Sequence, residues 1–218
     1  MKRKLIILIA VLMPILSGFA QEQAVDPKAK SLLNKAIAAF ESKKGVYAAF
    51  SIKVSNARNG KEESFQGDLF LKGEKFKLSL QDVDTYFDGK TQSVMMKKEN
   101  EVTISNPDAD DLKDVNPILL MKSCRTDFKM RYLGQVLVNK KTMEKIELYP
   151  NDLKSKYSII TLLINKDDLQ LNTIVLKGKD GISTQFYVTK VEYQKNLSDD
   201  VFVFNAKSYP NVEIVDLR

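Results

Sequence analysis

From Ala48 to Val215 the chain is cut into short runs of alternating apolar and polar residues. Period-two alternation is the pattern of a strand with one buried face. The separators RNGK, KGE, DGK, KEN, NKK, NKDD and KDG are hairpin sequences, recurring every eight to fourteen residues. No ten-residue helical pattern stands between successive strands, which argues against βαβ units and predicts an antiparallel meander. The strands expected before the second helix are Ala48–Ala57, Glu63–Lys72, Lys75–Leu80, Thr85–Phe87, Gln92–Lys97 and Glu101–Ser105. After it come Asp127–Val138, Thr142–Tyr149, Lys156–Asn165, Gln170–Lys177, Ile182–Gln194, Val201–Phe204 and Val212–Val215. One sheet of about ten or eleven strands curls strongly.

Two segments read as helix. In DPKAKSLLNKAIAAFES, Asp26 is a natural N-cap and Pro27 suits the first helical position. Ala29, Leu32, Leu33, Ala36, Ile37 and Phe40 line one face at helical spacing, opposite Lys28, Lys30, Asn34, Lys35 and Glu41. The second, NPILLMKSC, repeats the cap-and-proline start at Asn116 and Pro117 after a polar loop, and is short and apolar.

A curved sheet with one wet and one oily face must cover the oily one. Phe65, Gly67, Leu69 and Leu71 share a face, as do Phe76, Leu78 and Leu80, and Met95 follows two strands later. Two short helices supply little cover for so wide a surface. Either large side chains fill the interior, or a half-open barrel keeps a lined cavity; periodicity alone does not separate the two. The run YSIITLLIN is apolar on both faces, with Ile160, Leu162 and Ile164 on one and Tyr157, Ile159 and Leu163 on the other.

The first twenty residues read as a cleaved secretory signal: a basic start at Lys2, Arg3 and Lys4, an apolar core from Leu5 to Leu16, and small residues Gly18 and Ala20 before Gln21. Residues 21–218 then form one domain. Removing the signal takes Lys plus Arg from 34 to 31 against 28 Asp plus Glu, so most of the apparent basicity goes with it. No basic block with interleaved aromatics remains to bind nucleic acid. Cleavage before Gln21 rather than a cysteine leaves no lipid anchor, and the single Cys124 rules out an internal disulfide. With no histidine there is no Ser–His or Cys–His pair and no histidine-ligated metal. The acidic run DADDLKD lacks the mid-loop glycine and closing glutamate of a calcium loop and reads as solvated. The expectation is a protein without catalysis and without a cofactor.

Three passages carry a resemblance. GDLFLKGEKFKL followed by DTYFDGKT, then NPILLM, then LSDDVFVFNAKSYPNVEIVD resemble, in order and spacing, the periplasmic outer-membrane lipoprotein carriers of the LolA family. The resemblance implies a mostly β fold: an incomplete antiparallel barrel closed by an N-terminal helix and an inserted helical lid. It implies a monomeric periplasmic carrier that takes acylated lipoproteins from an inner-membrane transporter and passes them to an outer-membrane receptor. Candidate cavity and lid residues are Leu33, Ile37, Phe40, Phe65, Leu69, Leu71, Phe76, Leu78, Leu80, Met95, Leu119 and Leu120. Phe76 matches a phenylalanine tied to partner or cargo contact in the family. The chain departs from the pattern where many members carry a lid-latching arginine: the turn reads KGEK, with Gly73 and Glu74 in its place. Leu78 and Ser93 stand where the family has tryptophan. The rival functions are an acyl-binding sensor of envelope stress and a carrier of another amphiphile, such as a glycolipid or pigment.

Overall fold

The computed structural model describes residues 26–108, 111–112, 117–193 and 196–218. The expected signal segment, the Asn116 cap, and Asp110 and Asp114 of the acidic loop lie outside these. Helix α1 (Pro27–Glu41) begins where its proline and cap predict. Asp26 accepts from the backbone N–H of Lys28 at 2.8 Å and of Ala29 at 3.3 Å. The same carboxylate accepts from Tyr132 N–H at 3.0 Å, while Asp26 N–H donates to the Met130 carbonyl. One residue therefore caps the helix and occupies part of a sheet edge that would otherwise offer unpaired groups. Helix α2 (Pro117–Asp127) runs three residues beyond the stretch read from the sequence.

Twelve strands form one open sheet. In chain order they are β1 (Val46–Asn56), β2 (Glu62–Lys72), β3 (Lys75–Leu80), β4 (Val83–Phe87), β5 (Gln92–Met96), β6 (Glu101–Ser105), β7 (Phe128–Val138), β8 (Lys141–Pro150), β9 (Tyr157–Asn165), β10 (Leu171–Gly178), β11 (Ile182–Tyr193) and β12 (Glu213–Asp216). Their spatial order is β12-β6-β5-β4-β3-β2-β1-β11-β10-β9-β8-β7. The half-open, mostly β architecture agrees with expectation, with two corrections. The strand count is twelve rather than ten or eleven, and β12 pairs parallel to β6 because the chain crosses the sheet before returning to its edge. The segment expected as strand Val201–Phe204 instead turns through a 3₁₀ helix at Asp199–Phe202, capped by Ser198.

Three bulges break the period-two reading where it matters most. The register of β1 on β11 slips between Ala49 and Phe50: Ile52 faces Phe186 and Phe50 faces Val188, but Ala48 faces Val191 and Val46 faces Tyr193. Thr189 is the extra residue, and its hydroxyl donates to the Ala49 carbonyl at 3.0 Å. The slip puts even-numbered residues before it and odd-numbered residues after it on one face. A second slip at Ser158 swings Tyr157 to the side of Ile160, correcting its expected grouping with Ile159 and Leu163. A third, at Asn172, does the same for Leu171 relative to Ile174 and Leu176.

The outer face of β3–β6 is covered by the segment from Asp199 to Val212. Phe204 and Tyr209 stack at 5.4 Å between centroids and pack with Val212 against Tyr86, Met95 and Val102. Asp84 lies buried under this cover, with Lys97 Nζ at 2.7 Å and the Tyr209 hydroxyl at 3.4 Å. Burial pushes its carboxyl up, but hydrogen bonds from Lys97 and Ser79 outweigh this and hold it below its ordinary 3.8. At the β2–β3 turn Lys72 and Lys75 both grip Asp199 at 2.7 and 2.8 Å. Helix α2 is tied to α1 through Lys122 and Glu41 at 2.8 Å.

Asp84→Asn removes a buried charge but strands the Lys97 ammonium, which is itself partly exposed. It should lower stability at neutral pH by about 1–3 kcal/mol in urea unfolding. A depressed folded-state pKa contributes stability above the ordinary carboxyl value and loses it as pH falls through the folded value, so wild type and variant should converge in acid. The Cys124 thiol is buried and pushed up to about 12, mainly by that burial. It should resist iodoacetamide in the native protein and react once urea unfolds the chain, as read by mass spectrometry.

Candidate lipid-binding cavity

The concave face of the sheet is not filled evenly. On its β8–β9 side Ile146, Leu148, Ile160, Leu162 and Ile164 are fully enclosed, together with Leu33 and Ile37 of α1. Away from this solid region, between α1 and strands β1–β3, β10 and β11, lies a cavity of about 520 Å³. That volume falls within the range of small-molecule sites, roughly 300–1,000 Å³.

Local sequence explains the walls. Val46, Ala48, Phe50 and Ile52 alternate along β1, and the Thr189 bulge aims Phe186, Val188, Val191 and Tyr193 at the same space from β11. Leu69 and Leu71 of β2 pair with Leu78 and Phe76 of β3. Phe50 lies opposite Gly67, and a Cβ at Gly67 would meet the Phe50 ring at 2.6 Å. The missing side chain at Gly67 leaves the ring room to lie flat on the wall.

Of the residues expected from sequence, Phe40, Leu69, Leu71, Leu78, Leu80 and Leu120 line this cavity. Leu33, Ile37 and Phe76 are fully buried in the adjoining core without lining it, and Phe65 is half-buried against that core. The Phe76 ring packs on Phe87, 5.5 Å between centroids, and has no exposed surface. Met95 faces the other way. The Phe87–Gln92 pairing fixes the β4–β5 register, so Met95 sits beside Asp84 and Val102 under the outer cover. Leu119 lines a separate polar groove with Glu74, Lys90 and Lys122, because α2 turns that side toward the β2–β3 and β4–β5 turns.

Sequence reasoning missed the β10–β11 wall and the polar rim. The rim comprises Ser42 and Lys43 after α1, Asp168 and Gln170 in the β9–β10 turn, and Tyr193 at the end of β11. Lys43 Nζ stands 4.6 Å from the centre of the Tyr193 ring. Alternation in β1 and β10 is readable as strand, but their shared exposure to empty space depends on pairings across more than a hundred residues. The remaining lining is almost wholly hydrocarbon and aromatic. It can hold an apolar guest by non-directional contact, and it contains no pair of groups arranged for acid–base chemistry. Among the described residues no cluster of His, Cys, Asp or Glu side chains is placed to bind a metal. Nor is any helix among them long and apolar enough to cross a membrane.

The two halves of the concave face should respond differently to truncation. Leu162→Ala, in the filled half, should cost about 2–5 kcal/mol in urea unfolding. Leu78→Ala, whose side chain already borders open space, should cost less than half as much, because it enlarges an existing void rather than creating one.

No curated protein matches the chain in sequence. Solved structures share its fold at low identity. An uncharacterized conserved protein from Thermus thermophilus superposes with a TM-score of 0.56 at 11% identity, covering 87% of this chain and 99% of the other. A DUF1329 family protein from Desulfovibrio piger gives 0.52 at 11% identity, covering 85% and 99%. The family described as outer membrane lipoprotein carrier protein LolA matches residues 41–205, more than half of the sequence. With an open twelve-stranded sheet and two helices laid across its concave face, the chain belongs to the LolA family.

Proposed function

We propose that the protein is a periplasmic carrier that shelters the acyl chains of lipoproteins in its apolar cavity and delivers them to the outer membrane. The observation that carries this reading is the 520 Å³ apolar void between α1 and the sheet. A stable domain with no guest to house gains nothing from leaving such a space, because unfilled apolar lining forfeits dispersion contacts.

The physics of transport fits the same site. An acyl chain crossing water exposes about 0.8 kcal/mol per methylene, or roughly 12 kcal/mol for a fatty chain, so unassisted transfer is negligible. A sheath of aliphatic and aromatic side chains removes that cost. It offers few hydrogen bonds that would have to be broken on release. In this reading an inner-membrane transporter loads the cavity and an outer-membrane receptor empties it, with α1 and α2 as the movable cover. The chain performs no covalent step.

The test is transfer. Folded protein incubated with inner-membrane vesicles bearing a lipidated protein should bring that cargo into the soluble fraction and pass it to outer-membrane vesicles. Cargo that stays wholly in the donor vesicles, with circular dichroism showing folded carrier, overturns the reading.

A further inference from the structure

The most exposed large apolar side chain among the described residues lies outside the cavity lining, on a charged loop. Leu153, in the connection from β8 to β9, is 89% exposed. The loop around it is not slack. The Asp152 carboxylate accepts from Lys154 N–H at 2.8 Å, and Ser155 N–H donates to the Asp152 carbonyl at 3.1 Å. Lys179 Nζ donates to the carbonyl of Leu153 itself, and Asn151 N–H is fixed to the Asp127 carbonyl at 2.9 Å. With its backbone tied down on both sides, the leucine is held outward rather than folded back onto the sheet.

Two neighbouring turns join this loop in one platform. Lys179 N–H donates to the Lys156 carbonyl and Ala57 N–H to the Gly181 carbonyl, both at 3.0 Å. Loops 57–61, 151–156 and 179–181 are therefore linked through their backbones. Arg58 lies over Gly181, its Cγ 3.4 Å from where a Cβ would stand. Ile182, at the start of β11, adds a second exposed apolar side chain. The three loops carry Arg58, Lys61, Lys154, Lys156 and Lys179 against Asp152 and Asp180. Both carboxylates are turned back on their own loops, Asp180 accepting from Ile182 N–H at 3.0 Å. Of the acids that follow on β2, Glu62 is held by Lys53 at 2.8 Å, and Lys177 near the end of β10 offsets Glu63. Positive charge predominates around the leucine.

One projecting leucine is too small an apolar core for a protein interface. It suits a bilayer, where cations meet anionic headgroups and a short apolar side chain enters the acyl boundary. We propose that this platform docks the protein on anionic phospholipid bilayers, with Leu153 entering the interface and Arg58, Lys61 and Lys154 among the headgroups. The proposal concerns the outer surface and does not depend on what the cavity holds. Tyr157, which follows the loop directly, lines the cavity, so docking sets that end of the cavity nearest the bilayer.

The experiment is flotation of the protein, in its processed and exported form, with vesicles of phosphatidylcholine alone or of equal parts phosphatidylcholine and phosphatidylglycerol. Binding should be strong only to the anionic vesicles and should fall at least about tenfold between about 0.05 and about 0.5 M NaCl. Lys61→Gln and Lys154→Gln should each weaken it about fivefold. Leu153→Ser should weaken it about tenfold, with circular dichroism and the urea midpoint unchanged because the side chain packs on little. Lys35→Gln, on the exposed side of α1, should change it by less than about twofold. Absence of binding to anionic vesicles at low salt, which would leave an acidic protein as the partner, overturns the proposal. So does equal binding to neutral vesicles, or binding that Leu153→Ser or both lysine variants leave unchanged. The carrier reading stands in each case, since its test follows cargo rather than the bare bilayer.

Discussion

The concave apolar face of one unclosed sheet is the constraint from which the rest of the structure follows. Twelve strands in a single sheet must curl, and the inside of the curl is lined by apolar side chains from most of the strands. That face cannot be left to water. The described residues provide two helices of 15 and 11 residues to lie across it. Where α1 lays Leu33 and Ile37 down, the interior is closed to solvent and behaves as an ordinary core. Away from them the helices still cross the sheet, but Ala36, Ala39, Phe40, Leu120 and Met121 do not fill the space beneath, so a void remains. The hollow is what results when a wide curved sheet is given a narrow lid.

A fold whose own side chains leave part of the interior unfilled must draw its stability from elsewhere. Here it comes from both sides of the sheet. The enclosed aliphatic block on β8 and β9 supplies conventional packing. The return of the chain over the outer face adds a second cluster around Tyr86, Met95 and Val102, pinned by Asp84 with Lys97 and by Asp199 with Lys72 and Lys75. On the outer side this cluster holds β3–β6, and on the inner side Phe76 and Phe87 tie them to the main core. The cavity wall on β1 and β11 is shaped by backbone: the Thr189 bulge keeps four side chains aimed inward across a change of register. Bulges gather at barrel rims and beside functional sites for this reason, since they re-aim a side chain without changing the fold.

Much of this is legible in the sequence. Asp26 and Pro27 announce α1; the hairpin tripeptides announce the turns; Leu69, Leu71, Leu78 and Leu80 announce one oily surface, and they do line the cavity. These are local signals, set by the backbone freedom of a few consecutive residues and by which side of a strand each Cβ occupies. The misreadings share one cause. Strict alternation puts Tyr157 on the wrong face because one extra residue at Ser158 inverts the pattern, and nothing in YSIITLLIN marks that insertion. Met95 reads as cavity lining because side follows from register, and the β4–β5 register turns its chain toward the outer cover. Val201–Phe204 reads as a strand because Val, Phe, Val and Phe are all strand formers, yet it serves as a cover segment with Phe202 buried beneath it.

By itself the sequence determined the class of fold, the helix that starts the domain, and the chemical character of the inner surface, because all three follow from short-range periodicity and residue type. Tertiary structure alone decided whether that surface would be filled or hollow. The answer depends on β1 meeting β11 across the length of the chain, on three single-residue bulges, and on where two short helices come to rest. Those are sums of many weak long-range contacts, and no window of neighbouring residues contains them.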